Sequence, residues 1–68
     1  MAAGTVKWFN KTKGFGFIVP DEGEKDVFVH NTTILESGLQ ELNEGQKVSY
    51  QPIEEIKGLK ATDISAIE

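Results

Sequence analysis

The chain has 68 residues, with seven lysines, no arginine, eleven acidic side chains, no cysteine and a net charge of −4. That length suits one domain spanning residues 1–68, near the size at which a single core only just stabilises a fold. The missing cysteines exclude disulfides and thiolate metal sites and fit a reducing compartment, and no run is long and apolar enough for a signal segment or a membrane span, so a cytoplasmic protein with no membrane partner is expected.

The charge is unevenly placed. Residues 1–20 hold Lys7, Lys11 and Lys13 and no acid, a local +3, whereas residues 21–68 hold four lysines and all eleven acids, a local −7. Phosphate binding is driven by positive side chains. The acid-free stretch is also the one that contains Trp8, Phe9, Phe15 and Phe17.

Residues 4–10 (GTVKWFN) are rich in β-formers and read as a first strand. Asn10 to Gly14 supply turn chemistry, and residues 15–20 read as the second strand. A polar connection over 21–25, with Gly23 in its middle, leads to a third strand at 26–30, giving an antiparallel meander. Leu35, Leu39 and Leu42 are spaced as on a helix, and Thr33 with Glu36 resembles a capping box, so a short helical turn is expected at 32–36, before a long loop in which Ile34 and Leu42 plug one end of the core. Residues 46–53 alternate as a fourth strand ending near Pro52, residues 54–58 read as loop, and Leu59 to Ile67 as a fifth strand with Ala61 or Ile64 facing inward. Five short strands without a long helix imply a small, closed or nearly closed barrel, with Val6, Ile18, Val27, Val29, Val48 and Ile64 inside.

The functional question lies on the outer face. Side chains alternate across a strand, so Phe15 and Phe17 share one side of the second strand while Phe28 and His30 share one side of the third. Both strands are apolar on both faces, and so short a chain has no second layer to cover the outer one. A ligand that stacks on the rings is the physical alternative, with lysines following its phosphates. Val6 and Trp8 have the same parity, so strict alternation would bury both; a bulge near Lys7 or Trp8 would release the indole. His30, the only histidine, rules out a histidine metal cluster and serves as a stacking partner or a local hydrogen-bonder. Without a cysteine nucleophile, and with Ser37, Ser49 and Ser65 lacking a histidine partner motif, no catalytic site, metal, cofactor or small-molecule substrate is expected. An aromatic face of this kind could equally grip a protein partner or stack on sugars.

Taken together, GTVKWFN at 4–10, KGFGFI at 13–18 and DVFVH at 26–30 closely resemble the bacterial cold-shock protein family, the last two segments matching its two ribonucleoprotein motifs. The likeness runs over essentially the whole chain, including Glu44-Gly45-Gln46 and Lys57-Gly58. An RNA-recognition motif would need two packed helices, which the pattern lacks. The resemblance implies an all-β, five-stranded antiparallel oligonucleotide-binding barrel that holds single-stranded RNA or DNA and acts as an RNA chaperone or a regulator of the cold or stress response. By matching position it assigns binding to Lys7, Trp8, Lys13, Phe15, Phe17, Phe28 and His30, and Lys57 and Lys60 near the fifth strand complete the candidate set. It also implies an exposed Trp8. A monomer is expected, with a strand-exchanged dimer through the long loop as the alternative. Asn31 and Leu39 stand where the family usually has aromatics, and Leu59 and Lys60 where it has proline and glutamine. Weaker binding, a shorter footprint and a larger share from lysines follow as expectations.

Overall fold

A computed structural model describes residues 2–23 and 25–67. Glu24, within the expected 21–25 connection, lies outside the described residues, as do Met1 and Glu68. The elements are β1 (Ala2–Asn10), β2 (Phe15–Pro20), β3 (Val27–His30), α1 (Asn31–Glu36), β4 (Lys47–Glu55) and β5 (Gly58–Ala66). They close into a barrel in the order β1-β2-β3-β5-β4, with Ala2 to Thr5 of β1 pairing back onto Tyr50 to Lys47 of β4. All neighbours are antiparallel except β3 and β5, which run parallel through the pair Phe28 and Lys60. The expected five-stranded barrel is present, antiparallel apart from this one seam. Direction cannot alternate all the way round a ring with an odd number of strands, so one seam must be parallel.

The irregularity expected in β1 is present. Val6 pairs with Ile18 and Trp8 with the adjacent Phe17, so Lys7 is an extra residue on the β1 side. Such a bulge resets the alternation. Val6 stays inside, whereas Trp8 moves to the outer surface and is half-buried.

The six residues expected inside are all buried, and Ile34 and Leu42 from the connection plug the barrel as anticipated. Both Ala61 and Ile64 point inward, and Tyr50 joins them as the bulkiest fully buried side chain. Tyr50 shares its parity with Val48, so alternation alone places it inside. Burial pushes its phenol pKa above the ordinary 10.0, and the Asp21 carboxylate pushes it further in the same direction. The stability held by the neutral phenol is complete below pH about 10 and is lost as pH rises past that value, because the unfolded chain gives up its proton first. Tyr50→Phe is therefore expected to flatten the alkaline fall in urea midpoint between about pH 9 and pH 11. Parallel curves for the two proteins would contradict this. The Lys47–Asp21 ion pair at 3.0 Å is common to both, so the difference isolates the phenol.

Several element ends shift by a residue or two from the sequence reading, and two of the differences have a clear physical cause. The helix begins at Asn31, and its N-cap is His30, whose Nδ1 accepts from the Thr32 N–H at 3.2 Å, rather than a Thr33–Glu36 box. Thr33 is buried inside the helix and cannot cap it. Strand β4 runs past Pro52 to Glu55, which pairs with Gly58, so most of the expected 54–58 loop is strand. Among the described residues, β4 beyond Tyr50 has no partner on its β1 side. A proline is tolerated on such an edge because its missing N–H would have faced no acceptor. In β5 the register slips opposite Tyr50, with Asp63 at φ 49°, and the Ile64 N–H at this second bulge donates to the Ser37 Oγ at 3.0 Å. That bond docks the end of α1 onto the barrel. Among the described residues no helix is long and apolar enough to cross a membrane.

Candidate nucleic-acid interface

Five rings gather on the outer surface of β1, β2 and β3. Trp8 lies 5.4 Å from Phe15 and 5.3 Å from Phe17, both edge to face. Phe28 lies 5.8 Å from Phe15 in a near-parallel stack and 5.7 Å from Phe17 at a steep angle. His30 follows, tilted, 6.4 Å from Phe28. Each of the four larger rings is half-buried and His30 is exposed, so the rings prop one another while keeping a free side. Aromatic pairs in such geometries are mutually stabilising, which fixes the rings before any ligand arrives.

Register explains the arrangement. Trp8 pairs with Phe17, Phe17 with Phe28, Phe28 with Lys60, and Lys60 with Ile53, so a single cross-strand row passes over all five strands. Asn10, Phe15 and His30 form a second, shorter row beside it. Gly16 sits beneath the rings. A Cβ there would collide with the Trp8 carbonyl oxygen and lie 2.8 Å from the Phe9 Cα. Only glycine lets β2 approach the bulged part of β1 this closely.

The lysines surround the rows. Lys7, thrown out by the bulge, donates to Asp26 at 2.9 Å beyond the Phe17–Phe28 row. Lys13 is exposed on the turn before Phe15, a turn closed by the Gly14 N–H to the Asn10 carbonyl at 2.7 Å and by the Lys13 N–H to the Asn10 Oδ1 at 2.9 Å. At the far end, Phe17, Phe28 and Leu59 floor an open groove of about 440 Å³ whose rim carries Glu55, Lys57, Gly58 and Lys60. Among the described residues Lys13, Lys57 and Lys60 have no acidic partner within ion-pair distance, whereas Lys11 faces Glu41 at 3.4 Å.

All nine candidate residues thus border the same face. One ring nitrogen of His30 makes the local hydrogen bond expected of it by capping α1, and the ring continues the aromatic cluster. Asn31 and Leu39 add no ring: Asn31 opens α1, its N–H donating to the Gly14 carbonyl at 2.8 Å, and Leu39 packs against the core. The sequence reading missed Asp26 as the partner of Lys7, and missed Glu55, Leu59 and Ile53 at the far end of the row. Asp26 shares the parity of Phe28 and His30, which was the available signal. The other three depend on a register between β3 and β5 that local patterning does not encode.

A closed five-stranded barrel with bare, clustered rings and flanking lysines on one flank is the architecture of an oligonucleotide-binding fold. The family model described as the 'Cold-shock' DNA-binding domain matches residues 2–67, and the chain belongs to that family of nucleic-acid-binding, non-enzymatic proteins. It is 58% identical over 60 residues to "Probable cold shock protein y4cH" of Sinorhizobium fredii, covering 88% of this chain and 87% of that one. It is also 53% identical over 62 residues to cold shock protein CspA of Rhizobium meliloti, with 91% and 90% covered, and 48% identical over 64 residues to cold shock-like protein CspE of Escherichia coli, with 94% and 93% covered.

Proposed function

We propose that the chain binds single-stranded RNA and DNA by stacking bases on Trp8, Phe15, Phe17, Phe28 and His30 while Lys7, Lys13, Lys57 and Lys60 follow the phosphates, and that it acts in the cytoplasm as a passive RNA chaperone in the response to cold or stress. The observation that carries this reading is the contiguous five-ring network on an uncovered barrel surface. Stacking is worth about 1 to 3 kcal/mol per base and tolerates any sequence. A duplex hides its base faces, so a protein that takes up unpaired bases draws weak RNA structure toward its open strands by mass action. No energy source is required for melting of this kind.

Titration of Trp8 fluorescence with oligothymidine and oligouridine at several salt concentrations tests the proposal directly. Quenching by both is expected at low salt. No quenching by either would falsify the nucleic-acid reading, and quenching indifferent to Phe15→Ala would move the ligand to another face.

Salt measures the lysine share. Four lysines in phosphate contact give a slope of log affinity against log salt of about −3 on a single strand, and Lys13→Gln should reduce that slope by about 0.7. A flat salt dependence would leave the rings as the whole interface. Lys7 contributes only as far as it leaves Asp26, so Asp26→Asn should strengthen binding modestly.

A further inference from the structure

The groove at the far end of the long row combines an apolar floor with both charges on its rim. Phe17, Phe28 and Leu59 form the floor, and Glu55, Lys57 and Lys60 the rim. Its volume of about 440 Å³ falls within the range of small-ligand sites. Lys60 is fixed next to Phe28 by the β3–β5 pair, and Glu55 projects from the neighbouring end of β4, on the side of that strand shared by Ile53, the cross-strand partner of Lys60. Among the described residues the Glu55 carboxylate forms no ion pair with either lysine, so acceptor and donors are both free to meet a ligand.

A carboxylate is out of place on a surface that only follows phosphates, which it would repel. Its two oxygens suit a group with two adjacent N–H donors. Among the four bases only guanine offers that pair, N1–H and N2–H on the Watson–Crick edge, with O6 next to them to accept from an ammonium. In a duplex this edge is occupied, whereas in a single strand it is open to be read. We infer that the groove is a base-reading subsite for guanine: the ring lies on Phe28 and Leu59, Glu55 accepts from N1–H and N2–H, and Lys60 donates to O6. Adenine and cytosine present a single exocyclic amine to the carboxylate, and thymine and uracil a single ring N–H, so each leaves one oxygen without a partner. The inference rests on the proposed single-strand binding and adds a base preference to an otherwise indifferent platform.

The test uses heptathymidine and a set of heptathymidines with one dG placed at each position in turn, titrated against the full chain and its Glu55→Gln variant by Trp8 fluorescence. At one or two positions dG is expected to tighten binding by about tenfold, the scale of a good two-bond base contact. Deoxyinosine at the same position, which lacks the N2 amine, should lose most of that gain. Glu55→Gln should abolish the preference while still binding heptathymidine. Equal affinities across the whole set would overturn the inference and leave the platform standing. So would a Glu55→Gln variant that tightens every oligonucleotide by the same factor, since the carboxylate would then merely repel phosphates. No quenching by any oligonucleotide would remove the platform and the subsite together.

Discussion

Phe28→Ala is expected to weaken binding of oligothymidine by about 30-fold, the equivalent of about 2 kcal/mol, with the barrel still folded. Phe28 touches more of the cluster than its size suggests, contacting Phe15, Phe17 and His30. Removing it deletes one stacking surface and takes away the support that holds Phe15 nearly parallel beside it, so the loss should exceed that of a peripheral ring such as His30. The side chain is outside the core and half-exposed, so no buried cavity opens and the cost in stability should stay near 1 kcal/mol, the scale of the lost ring contacts. Oligothymidine affinity and the thermal midpoint, measured on the same variant, separate the two effects. Unchanged affinity with an intact fold would show that the ligand does not lie on this face.

Gly16→Ala should have the opposite signature, with stability lost first. The new methyl would meet the Phe9 ring and, more importantly, the backbone of Trp8 and Phe9, which cannot swing aside. Either β2 withdraws from β1 or the bulge flattens, and overpacking against backbone costs about 3 kcal/mol or more. A chain of this size has a total stability of roughly 3 to 10 kcal/mol, so the variant should be largely unfolded in mild urea where the parent is folded. Should it fold, its Trp8 emission should be shifted, because the indole is carried by the displaced segment. A Gly16→Ala protein with the parent's urea midpoint and emission would show that β1 and β2 can separate at no cost.

The parts of this protein that could be read in its sequence are those set by neighbours along the chain. Alternation puts Val27 and Val29 inside and Phe28 and His30 outside, and the parity conflict between Val6 and Trp8 is itself the signal of the bulge. The parts that escaped reading depend on partners distant in sequence. Nothing near Pro52 shows that β4 is an edge at that point, so the proline reads as a terminator. The histidine cap on α1 depends on Nδ1 reaching back to Thr32 from the end of β3, a geometry that the stronger Thr33–Glu36 pattern obscures. Glu55 and Ile53 reach the ring-bearing face only through Lys60, whose partner Phe28 stands in the other half of the chain. The resemblance to a family supplied the ligand class and the residues it shares, and was silent on Glu55.

The single parallel pair between β3 and β5 closes the barrel along its thinnest seam, and that seam lies under the middle of the long cross-strand row. An oligonucleotide laid from Trp8 toward Ile53 crosses it at a right angle to the strands, with bases on Phe28 on one side and a phosphate or base held by Lys60 on the other. The ligand then works as a stitch across the one join that the backbone itself barely makes. In the proposed binding mode the ligand therefore favours the closed barrel at the seam where backbone pairing is sparsest.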